Sequence, residues 1–126
     1  MKRLTREWIA KAEDDFAVAL TLSRSRRARV PDAICFHCQP CAEKYLKARL
    51  CEDGIPFPKS HDLVALLKLL ASSYPLWAAL GKAATNLNAY AVSTRYPGDQ
   101  ADPKEAKTAR HDCKAIREEV RQSFGL

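Results

Sequence analysis

The sequence predicts an all-α fold, an antiparallel up-and-down bundle of about five helices. Apolar residues recur at three- and four-residue spacing along most of the chain, as in helices with one buried face. No stretch alternates apolar and polar residues like a strand, and no repeat or low-complexity segment interrupts it. The breaks between periodic stretches are short, which favours antiparallel neighbours. A chain of 126 residues makes one domain, residues 1–126, with a single core.

The first helix is expected from about Thr5 to Ser23, with Thr5 as its cap. Trp8, Ala12, Phe16, Ala19 and Leu20 form its buried stripe. The segment Arg24-Ser25-Arg26-Arg27-Ala28-Arg29 that follows is the densest cation cluster in the chain. Two readings stand for it: cations answering the exposed carbonyls of a helix end, or a phosphate site.

The second helix, residues 31–53, organises the rest. Ile34, Cys38, Cys41, Ala42, Tyr45, Leu46, Ala48 and Leu50 cover more than half of its circumference, and Lys44, Lys47 and His37 hold a narrow polar stripe. So wide an apolar arc marks a central helix touched on several sides. Pro31 suits its first turn and Gly54 its stop, while Pro40 in its interior predicts a kink near Phe36–Pro40.

A third helix is expected from Ser60 or His61, burying Leu63, Leu66, Leu67 and Leu70. A fourth runs from about Leu76 to Ala91 or Val92, burying Leu76, Leu80, Ala83 and Leu87. The fifth opens with Asp102 as cap, Pro103 at the first helical position and Glu105 closing a capping box, with Ala106, Ala109, Cys113, Ile116 and Val120 as its buried stripe. Strict alternation would put the loop after the second helix and the loop before the fifth at one end. His61, Arg95 and Tyr96 would then be neighbours, with Lys47 and Lys104, while Arg24–Arg29, Arg117 and Arg121 would share the opposite end.

The net charge of +6 attracts anions, whether RNA, a nucleotide or an acidic protein. It also serves solubility alone. No run reaches the roughly 20 apolar residues of a membrane span, and the N-terminus lacks a signal-peptide hydrophobic region. A soluble, cytoplasmic protein without membrane contact is expected. The five cysteines read as reduced thiols. Cys35, Cys38 and Cys41, three apart on one helix, diverge around it and lack a fourth ligand, so no metal is expected. Nor is a cofactor: no glycine-rich phosphate loop or Gly-x-Ser-x-Gly elbow occurs.

The remaining polar set is Gln39, Glu43, Lys44, Lys47, His61, Arg95 and Tyr96. Glu43 and Lys47 are spaced for an intrahelical ion pair. Arg95 beside Tyr96 suits a phosphate with a base stacked next to it. Metal-free RNA cleavage needs an imidazole for proton transfer and a cation for the charge that develops on phosphorus. His61 and Arg95 have that chemistry, although His61 also reads as a helix cap. His37 and His111 read as surface residues.

At these residues the chain resembles the HEPN domain family (higher eukaryotes and prokaryotes nucleotide-binding). The phrase Phe36-His37-Cys38-Gln39-Pro40-Cys41-Ala42-Glu43-Lys44-Tyr45-Leu46-Lys47-Ala48 is similar to the family's helix signature. The Trp8–Ala19 pattern, His61-Asp62-Leu63 and Thr94-Arg95-Tyr96-Pro97 follow in the family's order. The resemblance implies a helical bundle, commonly a homodimer, often encoded beside a minimal nucleotidyltransferase in a toxin–antitoxin-like pair. Some members are metal-independent endoribonucleases with an arginine followed by a histidine four to six residues later. Here residues 100–102 are Gln100, Ala101 and Asp102, His111 lies 16 residues after Arg95, and Pro40 replaces the glutamine usual in the family.

Three functions follow as expectations. The first is a HEPN protein binding nucleotide or RNA phosphate through Arg95, Tyr96, Lys47, Glu43 and Gln39, acting with a nucleotidyltransferase. The second is an endoribonuclease in which His61 replaces the missing histidine and Arg95 stabilises the transition state. The third is a pure helical dimerisation module. Whichever holds, a homodimer is expected, its contact drawn from apolar surface left over on the second and fifth helices.

Overall fold

A computed structural model describes residues 1–91 and 96–126. Among them the secondary structure is all helical: α1 (Arg3–Arg24), α2 (Pro31–Glu52), α3 (Leu63–Leu70), a 3-10 helix (Pro75–Leu80), α4 (Gly81–Asn88) and α5 (Pro103–Ser123). This is the predicted bundle of five α-helices.

α2 is its axis. Thirteen of its 22 residues are buried, including the polar Gln39, Glu43, Lys47 and Arg49, and none is fully exposed. Tyr45, Leu46, Ala48 and Leu50 are sealed from solvent completely. α2 stops at Gly54, whose φ of +68° lies in the left-handed region open to glycine. There the Ile55 amide reaches back to the Leu50 carbonyl at 2.9 Å. The helix continues through Pro40, which lies inside it.

Contacts along α2 set the directions of its neighbours. The Lys2 amide donates to Glu52 Oε1 at 3.0 Å, so α1 runs antiparallel to α2. Ala101 N–H meets Asp32 Oδ1 at 2.7 Å, and Arg49 Nη1 meets Ser123 Oγ at 3.2 Å, so α5 runs parallel to α2. After Gly54 the chain climbs back along α2 until the His61 carbonyl accepts from Gln39 Nε2 at 2.8 Å. Residues 55–62 include Pro56 and Pro58 and cover the distance in extended form, at about 3 Å per residue. α3 therefore runs parallel to α2, and the 3-10 helix with α4 returns antiparallel to it.

That return path corrects the expected grouping of loops. The segment leading into α5 docks at the Pro31 end of α2, beside Arg24–Arg29. Lys104 goes with it, away from Lys47 near the far end. Arg117 and Arg121 lie away from the Arg24–Arg29 end, on Glu13 in the middle of α1.

Local chemistry shifts other boundaries. Thr5 is inside α1 rather than capping it, and its buried hydroxyl donates to Glu52 Oε1. Asp62, not His61, caps α3, accepting from the Val64 and Ala65 amides. The fourth helix is divided at Gly81, and Leu76, expected in the core, is 87% exposed on the 3-10 segment. α5 starts as predicted, with Asp102 accepting from Glu105 N–H at 2.7 Å and Pro103 at the first position. The Glu105 carboxylate, expected to close a capping box on the Asp102 amide, accepts instead from Tyr90 Oη. Its stripe Ala106, Ala109, Cys113, Ile116 and Val120 is buried within the chain. The apolar surplus expected on α2 shrinks to a half-buried strip of Ala33, Phe36 and Pro40.

Candidate functional site

Two polar regions are built on this frame. The first surrounds Glu43, in the middle of α2. Its Oε1 accepts from His61 Nδ1 at 2.8 Å and from Gln39 Nε2 at 3.3 Å, and its Oε2 accepts from Lys47 Nζ at 2.9 Å. Gln39, Glu43 and Lys47 lie one turn apart along α2, so helical periodicity lines them up. The returning loop then brings His61 against them. Trp8 of α1 and Phe57 of the loop meet edge to face, and Lys47 Nζ lies 5.6 and 5.9 Å from their ring centres.

Burial divides the roles within this group. The Glu43 and Lys47 side chains are each 7% exposed, whereas that of His61 is 72% exposed. Lys47 is paired with Glu43 and lies beside two aromatic rings. A nitrogen that hydrogen-bonds a carboxylate carries the proton, so the bond to Glu43 places the His61 proton on Nδ1. In the neutral ring Nε2 is then the nitrogen with the lone pair. Gln39 holds the same residue through its backbone carbonyl.

The second region is a basic groove of about 450 Å³ at the Pro31 end. Arg24, Arg26 and Arg29 come from the end of α1 and the following turn, Lys107 and Arg110 from α5. Leu22, Val30, Pro31, Ile34, Pro103 and Ala106 supply its apolar surface. None of the five cations has an ion-pair partner among the described residues. The N-termini of α2 and α5 both open here, adding the positive ends of two helix dipoles. The Arg24–Arg29 cluster is thus more than one helix's terminal decoration, since α5 adds two cations to it. Sequence reasoning missed Lys107 and Arg110. Their signal was a basic run at helical spacing (Lys104, Lys107, Arg110, Lys114) on the face that also carries Pro103 and Ala106.

Tyr96 lies on the approach to α5, and its residue is 83% exposed. Its carbonyl accepts from Asp99 N–H at 2.9 Å across Tyr96-Pro97-Gly98-Asp99. Pro97 presets the second position of this turn, and Gly98, with φ of +89°, takes the third, where a left-handed residue is needed. Arg95 lies outside the described residues, so its predicted meeting with His61 does too.

Other charged clusters hold the helices together. Arg117 grips both oxygens of Glu13 at 2.8 and 2.7 Å, and Arg121 joins at 3.4 Å. The Arg117 hydrogen bond holds the Glu13 carboxyl below its ordinary range against a smaller opposing effect of burial. His37, expected at the surface, is half-buried with Nδ1 2.9 Å from Asp15, which also pairs with Lys44. His111 is exposed. None of the five cysteines is in a disulfide, and no cluster of three or more His, Cys, Asp or Glu side chains able to hold a metal occurs among the described residues. No helix among them is long and apolar enough to cross a membrane.

The HEPN domain family matches residues 5–123. Among solved structures, an archaeal HEPN homologue is 25% identical, with 98% of each chain covered and a TM-score of 0.77. No curated protein matches the sequence. A sequence match spanning α1 to the end of α5, on a fold that superposes over almost its full length, places this chain in the HEPN domain family.

Proposed function

We propose that this HEPN protein binds the phosphates of a nucleotide or RNA at the Pro31 end of the bundle, and works with a minimal nucleotidyltransferase in a toxin–antitoxin-like pair in the cytoplasm. Family membership supports the nucleotide- or RNA-related role. The observation that carries the site is the basic groove, where five cations without ion-pair partners among the described residues surround an apolar surface. Unpaired guanidinium groups suit phosphate oxygens, which they bind two at a time. Tyr96, solvent-exposed on the segment that enters α5 at this end, offers a face for a stacked base. Arg95 precedes it in the sequence. On this reading Gln39, Glu43 and Lys47 hold structure around His61 rather than touch the ligand. A second copy of the chain docks on the strip Ala33, Phe36 and Pro40.

The test uses fluorescent single-stranded RNA and mononucleotides. Arg26→Glu with Lys107→Glu is expected to abolish RNA retention and nucleotide-dependent thermal stabilisation, and Arg95→Ala to weaken both. Unchanged binding in the double variant refutes the site. Sedimentation equilibrium reads the dimer, and isolation of the complex from its native cell reads the nucleotidyltransferase.

A second reading is favoured by the bond between Glu43 and His61. An imidazole fixed through Nδ1 by a buried carboxylate and open at Nε2 is arranged for proton transfer. Endoribonuclease activity without metal would use His61 as that group, with Arg95 facing the developing charge. Cleavage of mixed RNA in chelator, lost in both His61→Ala and Arg95→Ala, distinguishes this reading from binding alone.

A further inference from the structure

α1 and α5 both lie along α2, but their own backbones stand apart. The gap between them holds a cleft of about 280 Å³. Phe16, Ala19 and Leu20 of α1, Cys38 of α2 and Cys113 of α5 supply its apolar lining. Beyond Phe16, toward the middle of the bundle, lies the Glu13–Arg117 pair, with the Arg117 guanidinium 4.1 Å from the Phe16 ring centre. In the other direction it meets Arg24 and Arg110, which also line the basic groove. Neither has an ion-pair partner among the described residues, whereas the remaining cation of the lining, Lys114, lies 3.8 Å from Glu118.

This lining selects its occupant. No side chain in it bears an oxygen, so the amino groups of a nucleobase would lose water and gain no side-chain acceptor, at a real cost. A hydrocarbon or aryl tail carries no such penalty. The thiols act as apolar surface, since the Cys113 thiol and burial hold Cys38 well above the ordinary thiol range. Two unpaired guanidinium groups at the open end call for an anionic head. We propose that the cleft between α1 and α5 binds a small amphipathic anion, its carboxylate or phosphate-monoester head between Arg24 and Arg110 and its short acyl or aryl tail on Phe16, Leu20, Cys38 and Cys113. The volume lies just under the usual range for ligand pockets, roughly 300–1,000 Å³, so the tail is short. The site shares Arg24 and Arg110 with the basic groove, but its apolar cleft is its own, so it stands if the RNA reading fails.

The experiment titrates octanoate, octyl phosphate, octanol and butyrate into the full chain by calorimetry, below any micellar concentration. Both octyl anions are expected to bind saturably, one per chain. Octanol, without the charged hydrogen bonds, should bind at least about tenfold more weakly, and butyrate, without the tail, more weakly too. Arg110→Glu and Leu20→Trp are each expected to abolish binding while circular dichroism stays native. Should Leu20→Trp not fold, Leu20→Phe fills the same space with less strain and is expected to weaken binding. Octanol binding as tightly as octanoate overturns the proposal, as does unchanged affinity in Arg110→Glu. So does a cleft that takes no anion because sedimentation and crosslinking show a second chain or partner protein seated over it.

Discussion

His61 Nδ1 lies 2.8 Å from Glu43 Oε1, joining an imidazole that is 72% exposed to a carboxylate that is 7% exposed. The same carboxylate receives Lys47 and Gln39, so it joins buried structure on its inner side to an exposed imidazole on its outer side. Glu43→Ala leaves the Lys47 ammonium buried without its partner. Breaking such a pair costs about 3–5 kcal/mol, and a drop of that size is expected in urea unfolding. Glu43→Ala with Lys47→Met should recover most of it, because the second change removes the stranded charge. Equal stability of the single and double variants would show that Lys47 has another route to water.

His61→Ala should behave differently. The ring is mostly in solvent and α3 is capped by Asp62 rather than by His61, so stability should change by about 0.5 kcal/mol or less. If RNA is cleaved without metal, that activity should vanish in this variant while RNA binding stays. Activity retained by His61→Ala rules His61 out as the proton-transfer group.

Stability should also depend on pH through Glu13. Its carboxyl is held below the ordinary value by the hydrogen bond from Arg117, with further help from Tyr45. A depressed carboxyl binds fewer protons folded than unfolded. Its contribution is therefore present above the unfolded value, near 4.5, and is lost as pH falls through the folded one. Wild-type stability should decline in that acid window, and Glu13→Gln should flatten that part of the curve. A pH profile identical in the variant would assign the acid sensitivity to other groups.

How much of this was legible in the sequence depended on the kind of signal. The buried stripe of α5 and its Asp102–Pro103 start were read correctly, because periodicity and capping are local and leave a pattern in consecutive residues. The central place of α2 was legible for the same reason. The return of residues 55–62 along α2 was not, because two prolines say that a loop is stiff without saying where it leads. That error moved the entrance to α5 to the wrong end of the bundle, separating Lys107 and Arg110 from the Arg24–Arg29 cluster they join. Glu43 and Lys47 were recognised as a pair, but helical spacing cannot reveal that both are buried or that His61 closes over them. Thr5 was misplaced because a hydroxyl bonding Glu52, 47 residues away, looks the same in sequence as a hydroxyl capping its own helix.

The thiols provide a check on burial. Cys35, Cys38, Cys41 and Cys113 are buried and Cys51 is half-buried. Thiolate is the reactive form; the Cys113 thiol and burial push Cys38 upward, away from it, and against the lowering bond from Cys38 the Cys41 thiol and burial push Cys113 upward too. A disulfide reagent at mildly alkaline pH should modify one thiol per native chain quickly, and all five after denaturation. Fast modification of Cys38 or Cys113 in the native state, located by mass spectrometry, would show that α5 opens away from α2.

The basic groove predicts its own salt dependence. Each phosphate neutralised on a single strand contributes about 0.7 to the slope of log affinity against log salt. If Arg26, Arg29, Lys107 and Arg110 each meet one phosphate, the slope should be about −3. Arg26→Ala with Arg29→Ala should reduce its magnitude by about 1.4. Lys68→Ala, which removes an exposed cation on α3 away from the groove, should leave the slope unchanged. The comparison separates a built site from general attraction to a chain of net charge +6, because in the latter case any lost cation lowers the slope alike. A slope equally sensitive to Lys68 and to the arginine pair would return the Arg24–Arg29 cluster to the role of a solvated helix end.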